Sequence, residues 1–107
     1  MTTFDKREEG FERKFAHDED LRFRATARRN RLLGLWAADI LGKTGEEADA
    51  YAKAVVMADF EEIGDDDVVR KVLADFEAAG VHKSEHQVRR TMDELMGRAV
   101  SEIAAGK

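Results

Sequence analysis

The 107-residue sequence contains no cysteine and no proline, and it has only one tryptophan and one tyrosine. Without cysteine, disulfides, cysteine zinc sites and thiol nucleophiles are excluded, so stability must come from packing. No run of about 18 apolar residues occurs, and the first residues lack the apolar centre of a signal peptide. We therefore expect one domain without membrane insertion, in the cytoplasm.

The charges are divided into three blocks, although the net charge is only −5. Residues 21–43 carry six basic and one acidic side chain, whereas the segments before and after them are both acidic. A nucleic-acid module needs a basic surface that is not opposed by so many carboxylates. The charge pattern therefore argues against nucleic-acid binding.

Apolar residues recur with helical period in four segments, and no segment alternates with period two, so we expect an all-α fold without a sheet. Residues 21–41 predict a central helix with Leu21, Ala25, Leu32 and Trp36 on one face. Leu33 and Ile40 lie at the edge of that face, and Trp36 should be largely buried. Three further amphipathic segments follow, and short connections predict an antiparallel four-helix bundle.

Capping signals place the starts of these later helices. Thr44 with Glu47, and Ser84 with Gln87, each have the spacing of a capping box, and Asp65 to Asp67 can cap the third helix. The predicted apolar stripes are Ala48, Tyr51, Ala52, Val55, Val56, Phe60 and Ile63 on the second helix, Val68, Val69, Val72, Leu73 and Phe76 on the third, and Val88, Met92, Leu95, Met96, Ala99 and Ile103 on the fourth.

The central helix also carries a ridge of three arginines, Arg24, Arg28 and Arg31, while Arg22 and Arg29 lie beside the apolar stripe. Such a ridge has two interpretations. It can be a solvated face whose methylene stems cover apolar surface. Alternatively, it can be a docking surface or a weak phosphate-binding face.

His82 to His86 spells H-x-x-E-H, which matches a zinc peptidase motif. Ser84 is the better N-cap, which would leave His82 outside the helix, and no third ligand is evident. We therefore predict no metal site. No nucleophile with a supporting base is visible either, so we expect neither an enzyme nor a cofactor.

The N-terminal segment has three phenylalanines, Phe4, Phe11 and Phe15, which would form a narrow aromatic stripe on a helix. Gly10 interrupts this helix, and the segment lacks the leucine and valine of a core helix. Residues 1–17 are thus predicted to be a flexible arm and residues 18–107 the bundle. Whether the arm binds a partner or packs on the bundle stays open.

Several longer strings resemble one family. Phe4 to Glu8, Phe11 to Phe23, Ala27 to Lys53, VVMADFEEIGDDDVVRKV and HQVRRTMDEL are similar to the zeta subunit, and KFAHDE, RRNRLLGLWAA and GKTGEEA are the most specific parts. This family comprises small inhibitor subunits of alphaproteobacterial F-type ATP synthases. Departures from its pattern occur mainly at Met57, Ile63, Ala79 and, within the arm, Gly10.

The resemblance implies a four-helix bundle with a mobile N-terminal inhibitory arm that inserts at an alpha/beta catalytic interface of the ATPase head. It implies alpha and beta subunits as partners, with contact to gamma left open, and a position at the inner face of the membrane. The residues that it assigns to partner binding are Phe4, Asp5, Arg7, Glu8, Phe11, Lys14, Phe15, His17 and Asp18. Arg24, Arg28 and Arg31 are then a second docking face.

Two other functions remain open at this stage. One is a helical adaptor whose arm binds a different partner. The other is a nucleotide-binding sensor in which Arg24, Arg28 and Arg31 hold phosphate groups, with weak affinity.

Overall fold

The computed structural model describes residues 17–60 and 64–107, and within these ranges the chain is all-α, as predicted. Four helices follow one another: α1 is Glu19–Ile40, α2 is Gly45–Ala58, α3 is Asp66–Ala78 and α4 is Glu85–Ala104. The predictions for residues 1–16 and for Ile63 lie outside these ranges. Within them, no helix is both long and apolar enough to cross a bilayer.

Helix α1 is the centre of the bundle, because its contacts with α2 and α4 are the most extensive between any helices and it also touches α3. Its buried face differs by a fraction of a turn from the predicted one. Leu32 and Trp36 are only partly buried, whereas Leu33, Ala37 and Ala38 are inaccessible to solvent. The helix thus turns Leu33 and its alanines toward the core and places Leu32 and Trp36 at the edge.

Gly34 explains this rotation. A Cβ atom added at Gly34 would lie 2.5 Å from the Cα atom of Ala52 on α2, closer than real Cβ atoms approach backbone. The two helices therefore meet backbone to backbone at this point, and only glycine fits there. Hydrophobicity alone does not reveal such a contact, because the residue that makes it has no side chain.

Trp36 packs against the core rather than within it. Its ring meets the ring of Phe76, which is completely buried, edge to face with 5.7 Å between the ring centroids. The expectation of a largely buried tryptophan is therefore replaced by a partly buried one. The predicted stripe of α3 is confirmed, since Val68, Val69 and Val72 are also buried.

The helix ends follow the predicted capping signals in part. At α4 the capping box is formed: Gln87 N–H donates to Ser84 Oγ over 3.1 Å, and Ser84 N–H donates to Gln87 Oε1 over 2.8 Å. Thr44 is the N-cap of α2, but its side chain makes no capping bond, so the box predicted with Glu47 is absent.

Helix α2 also ends earlier than its apolar pattern predicts. The helix stops at Ala58, and Phe60, expected in the buried stripe, lies beyond the helix with 60% of its surface exposed. The predicted stripe is thus wrong at this position, since Phe60 no longer follows the helical spacing that would carry it to the core.

Candidate functional site

The chain enters the bundle at Asp18, the N-cap of α1. The Asp18 carboxylate accepts a hydrogen bond from the main-chain N–H of Leu21 over 3.1 Å, and its backbone is extended, with φ −111° and ψ 108°. His17 is exposed. Of the nine residues predicted to bind a partner, these two are described, and the others, Phe4 to Phe15, lie outside the described ranges. Asp18 thus marks the start of α1.

The arginine ridge of α1 extends toward two different helices. One terminal nitrogen of Arg28 donates to the carbonyl oxygen of Lys107 over 2.6 Å, and the other lies 3.6 Å from Glu102 of α4. Arg31 lies 3.9 Å from Asp49 of α2, and both of these side chains are mostly exposed. Arg24 is exposed. The three guanidinium groups therefore do not converge on one point as a phosphate site would require.

These ion pairs still leave the ridge open to a partner. Exposed pairs between flexible side chains stabilise a fold by about 0–1 kcal/mol, so a stronger acceptor can displace them. The ridge thus remains accessible for docking, but as separate cations along a helix rather than as a pocket.

Arg29 has a different environment from the ridge. It was expected beside the apolar stripe, but it is 5% exposed and lies inside the bundle. Its guanidinium group donates two bonds to the Asp65 carboxylate, of 2.7 and 3.2 Å, and two bonds to Asn30 Oδ1, of 2.9 and 3.1 Å. This fork links the first helix to the start of α3 with the bidentate geometry that arginine favours.

The spacing of Arg29 along α1 gives a partial signal of its burial. Arg29 follows Leu21 and Ala25 at successive steps of four residues, and Leu33 continues the row. The charge of Arg29 argues against burial, because an arginine is almost never buried unless a carboxylate pairs with it.

The pKa values of the two carboxylates near this fork, Asp59 and Asp65, are shifted in opposite directions. The hydrogen bonds from Arg29 lower the pKa of Asp65 below its ordinary value, against an opposing effect of burial. Burial raises the pKa of Asp59, even though a hydrogen bond from Asn30 and the charge of Arg29 both act to lower it. At neutral pH the fold therefore gains from the charge of Asp65 and loses from the charge of Asp59.

An exposed apolar patch lies beside Asp59. Phe23 on α1, Met57 at the end of α2 and Phe60 just beyond it are 58, 60 and 60% exposed. The ring centroids of Phe23 and Phe60 lie 6.2 Å apart, and the two ring planes are tilted by 40°. Sequence reasoning missed this patch, because it assigned Phe60 to the core and gave Phe23 no role.

A second polar cluster joins α2 to α3. The Tyr51 hydroxyl donates a 2.7 Å hydrogen bond to Asp75, which also accepts from Lys71 over 3.0 Å. Burial, the hydrogen bond and the charge of Asp75 together raise the pKa of Tyr51. The amino groups of Lys71 and Lys43 lie 5.2 and 6.0 Å from the centre of the Tyr51 ring. The cluster satisfies its own charges and has a structural role.

The two histidines of H-x-x-E-H do not share a helix face. His82 precedes the N-cap Ser84, so only His86 lies on α4, and both are exposed. Over residues 17–60 and 64–107, no group of three or more histidine, cysteine, aspartate or glutamate side chains is arranged to hold a metal ion. The motif therefore lacks the helical geometry that its zinc chemistry requires.

Comparisons with known proteins agree with the architecture. A family model described as ATPase inhibitor subunit zeta matches residues 1–102. A solved structure, determined in solution by NMR, is 47% identical in sequence to this chain and superposes on it with a TM-score of 0.72. The match covers 81% of this chain and 99% of the other protein's chain. No curated protein matches the sequence.

Proposed function

Because this chain belongs to the ATPase inhibitor subunit zeta family, we propose that it inhibits ATP hydrolysis by the F-type ATP synthase through its N-terminal arm. The observation that carries the proposal is the extent of the family match, which begins at residue 1 and so includes the arm together with the bundle. The bundle supplies a rigid support. The arm supplies the inhibitory contact by inserting at an alpha/beta catalytic interface and blocking rotation.

The composition of the arm suits insertion into a groove between subunits. Phe4, Phe11 and Phe15 would be the apolar anchors of a helix that forms on binding. Charged side chains around them would pair with the rim of the groove and fix the register, namely Asp5, Arg7, Glu8 and Lys14, with His17 at the base. Ordering the arm on binding lowers its affinity, which keeps inhibition reversible.

Asp18 has a defined part in this proposal. Its side chain caps α1, and its extended backbone stops α1 from continuing through it toward the arm. A bound arm would therefore be a separate helix, joined to the bundle by a bend at Asp18. The arm can then enter a narrow groove while the bundle stays outside and the arginine ridge meets the surface of alpha, beta or gamma.

ATP hydrolysis by the cognate enzyme tests the proposal directly. We expect the full chain to inhibit hydrolysis and to co-purify with alpha and beta subunits. Replacing Phe11 and Phe15 together by alanine should raise the half-inhibitory concentration roughly a thousandfold if each anchor contributes about 2 kcal/mol and the two act additively. A double Thr2→Ala, Thr3→Ala variant, changed in the same segment but without loss of an aromatic ring, is the matched control.

A chain that starts at His17 gives the complementary test. We expect it to keep the helical circular dichroism signal of the bundle, because every buried core side chain among the described residues lies at Leu21 or later. It should lose nearly all inhibition. Full inhibition by the shortened chain would move the function to the bundle, and co-purification without inhibition would favour an adaptor.

A further inference from the structure

The apolar patch formed by Phe23, Met57 and Phe60 has no role in the packing of the bundle. Within residues 17–60 and 64–107, these are the large hydrophobic side chains that stand well exposed. They also lie near one another, since the ring centroids of Phe23 and Phe60 are 6.2 Å apart and the Phe60 N–H donates to the carbonyl oxygen of Met57. Scattered exposed apolar residues need no explanation, but a cluster of them is typical of a docking surface.

Beside the patch is a small groove of about 30 Å³ with a largely apolar lining. Its walls include Phe23, Ala27, Val56 and Phe60, and one carboxylate, Asp59, lines it. An occupant that suits this groove would carry aromatic side chains next to a cation. The aromatic rings would cover the phenylalanines, and the cation would offset the charge of the half-buried Asp59.

The chain's own residues 1–16 have these properties. Phe11 and Phe15 flank Glu12, Arg13 and Lys14, so two cations and one carboxylate lie between the two aromatic rings. The segment also joins the bundle next to the groove. Phe23 lies five residues after Asp18, which is about 8 Å along the axis of α1, and Phe15 lies only three residues before Asp18, within about 10 Å of extended chain.

The backbone at Asp18 permits this approach. Because Asp18 is extended rather than helical, α1 does not continue through it, and a segment joined at Asp18 is not held to the axis of α1. A segment that continued the helix would instead extend away from Phe23. The short connection gives the segment a high effective concentration at the groove, of millimolar order, so weak contacts are sufficient.

We propose that the Phe23, Met57 and Phe60 patch is a resting site for the chain's own residues 1–16, with Phe11 and Phe15 covering it and Lys14 or Arg13 facing Asp59. The inference deepens the proposed function, because a docked arm is withheld from the ATPase. Inhibition then requires release from the patch, and the apparent affinity for the enzyme is reduced by the fraction of molecules whose arm is docked.

Paramagnetic relaxation tests the docking without any ATPase present. The chain has no cysteine, so Thr3→Cys provides a single position for a nitroxide label. In the full-length, isotope-labelled protein, we expect broadening of the amide signals of residues 23–27 and 56–60 relative to the reduced label. Phe23→Ser with Phe60→Ser should remove this broadening, whereas Ala74→Ser, at an exposed position of α3, should leave it unchanged.

The double patch variant should fold, because the two substituted rings are largely exposed. The proposal would be overturned if the amide signals of the patch are not broadened in the protein with the intact patch. It would also be overturned if they stay broadened in the double variant. Broadening that arises only when labelled and isotope-enriched chains are mixed would show that a second copy occupies the patch, and would overturn it equally.

Inhibition assays supply the second readout. If the patch withholds the arm, Phe23→Ser with Phe60→Ser should lower the half-inhibitory concentration several-fold. A higher half-inhibitory concentration would show that the patch contacts the ATPase itself, which contradicts the inference but leaves the proposed function intact. Loss of inhibition by Thr2→Ala, Thr3→Ala and unchanged inhibition by Phe11→Ala, Phe15→Ala would instead contradict the proposed function, whatever the relaxation data show.

Discussion

Replacing Arg29 by alanine should destabilise the bundle far more than replacing any arginine of the ridge. The Arg29 side chain is almost completely buried, and its guanidinium group satisfies both Asn30 and Asp65. The truncation therefore removes four hydrogen bonds and the packing of the methylene stem at once.

The size of the destabilisation depends on whether water can replace Arg29 as the hydrogen-bond donor to Asn30 and to Asp65. Asn30 is 1% exposed, so its amide oxygen loses both donors in a place that water does not reach, at about 1–3 kcal/mol. The Asp65 side chain is 42% exposed and can return to water, which keeps the loss below the full 3–5 kcal/mol of a broken buried pair. We expect a total of about 2–4 kcal/mol.

Arg31→Ala is the matched control, since it removes the same side chain from the same helix two residues later. Its ion pair with Asp49 spans 3.9 Å between two exposed side chains, so the change should stay within about 0.5 kcal/mol. Urea unfolding measured by fluorescence of Trp36, the single tryptophan, and by circular dichroism gives both free energies.

A double-mutant cycle of Arg29 with Asp65 separates the fork from the packing of the stem. Asp65→Asn should show strong coupling to Arg29→Ala, of about 0.5–3 kcal/mol, because the two groups share two hydrogen bonds. If Arg29→Ala unfolds at the same urea concentration as Arg31→Ala, the reasoning that the buried fork holds α1 to α3 is refuted.

Three further substitutions test the packing, electrostatics and metal predictions. Gly34→Ala should destabilise the bundle by about 1–3 kcal/mol in urea unfolding, because the added methyl group would overlap a backbone atom of α2; an unchanged midpoint would contradict the close helix contact. In the chain that starts at His17, which has no arm cation to face Asp59, Asp59→Asn should raise the melting temperature near pH 7, because burial raises the pKa of Asp59 and its ionised form opposes folding. This penalty is absent below the ordinary carboxyl pKa and grows as pH rises through the raised one, so the gain should shrink toward about pH 4; a gain independent of pH would point to packing instead. His82→Ala with His86→Ala should leave the melting curve nearly unchanged with or without a chelator, whereas unfolding by the chelator would show that a metal supports the fold.

The four-helix architecture could be predicted from the sequence because its signals are local. Gly42, Gly64 and Gly80 interrupt the apolar periodicity, and all three adopt the positive φ that glycine tolerates. The pairing of Ser84 with Gln87 likewise involves residues only three apart. Each of these signals involves only a few neighbouring residues, so it can be read without knowing how the rest of the chain folds.

Which residues of α1 are most deeply buried could not be predicted from local signals. Leu32 and Trp36 are more hydrophobic than Gly34 and Ala37, yet the smaller residues are buried and the larger ones lie at the edge. The decisive factor is how closely another helix can approach, which depends on the partner surface and not on transfer from water.

The sequence by itself determined the four helices, the capping box at Ser84 and the family strings, since each depends on neighbouring residues or on the order of residues in the chain. Only the tertiary structure decided that Arg29 is internal and that Phe60 is external. Arg29 is buried because Asp65, 36 positions later, returns to meet it. Phe60 is exposed because α2 ends at Ala58 and leaves its ring beside Phe23. Contacts between residues distant in sequence appear only when the helices have been placed against one another.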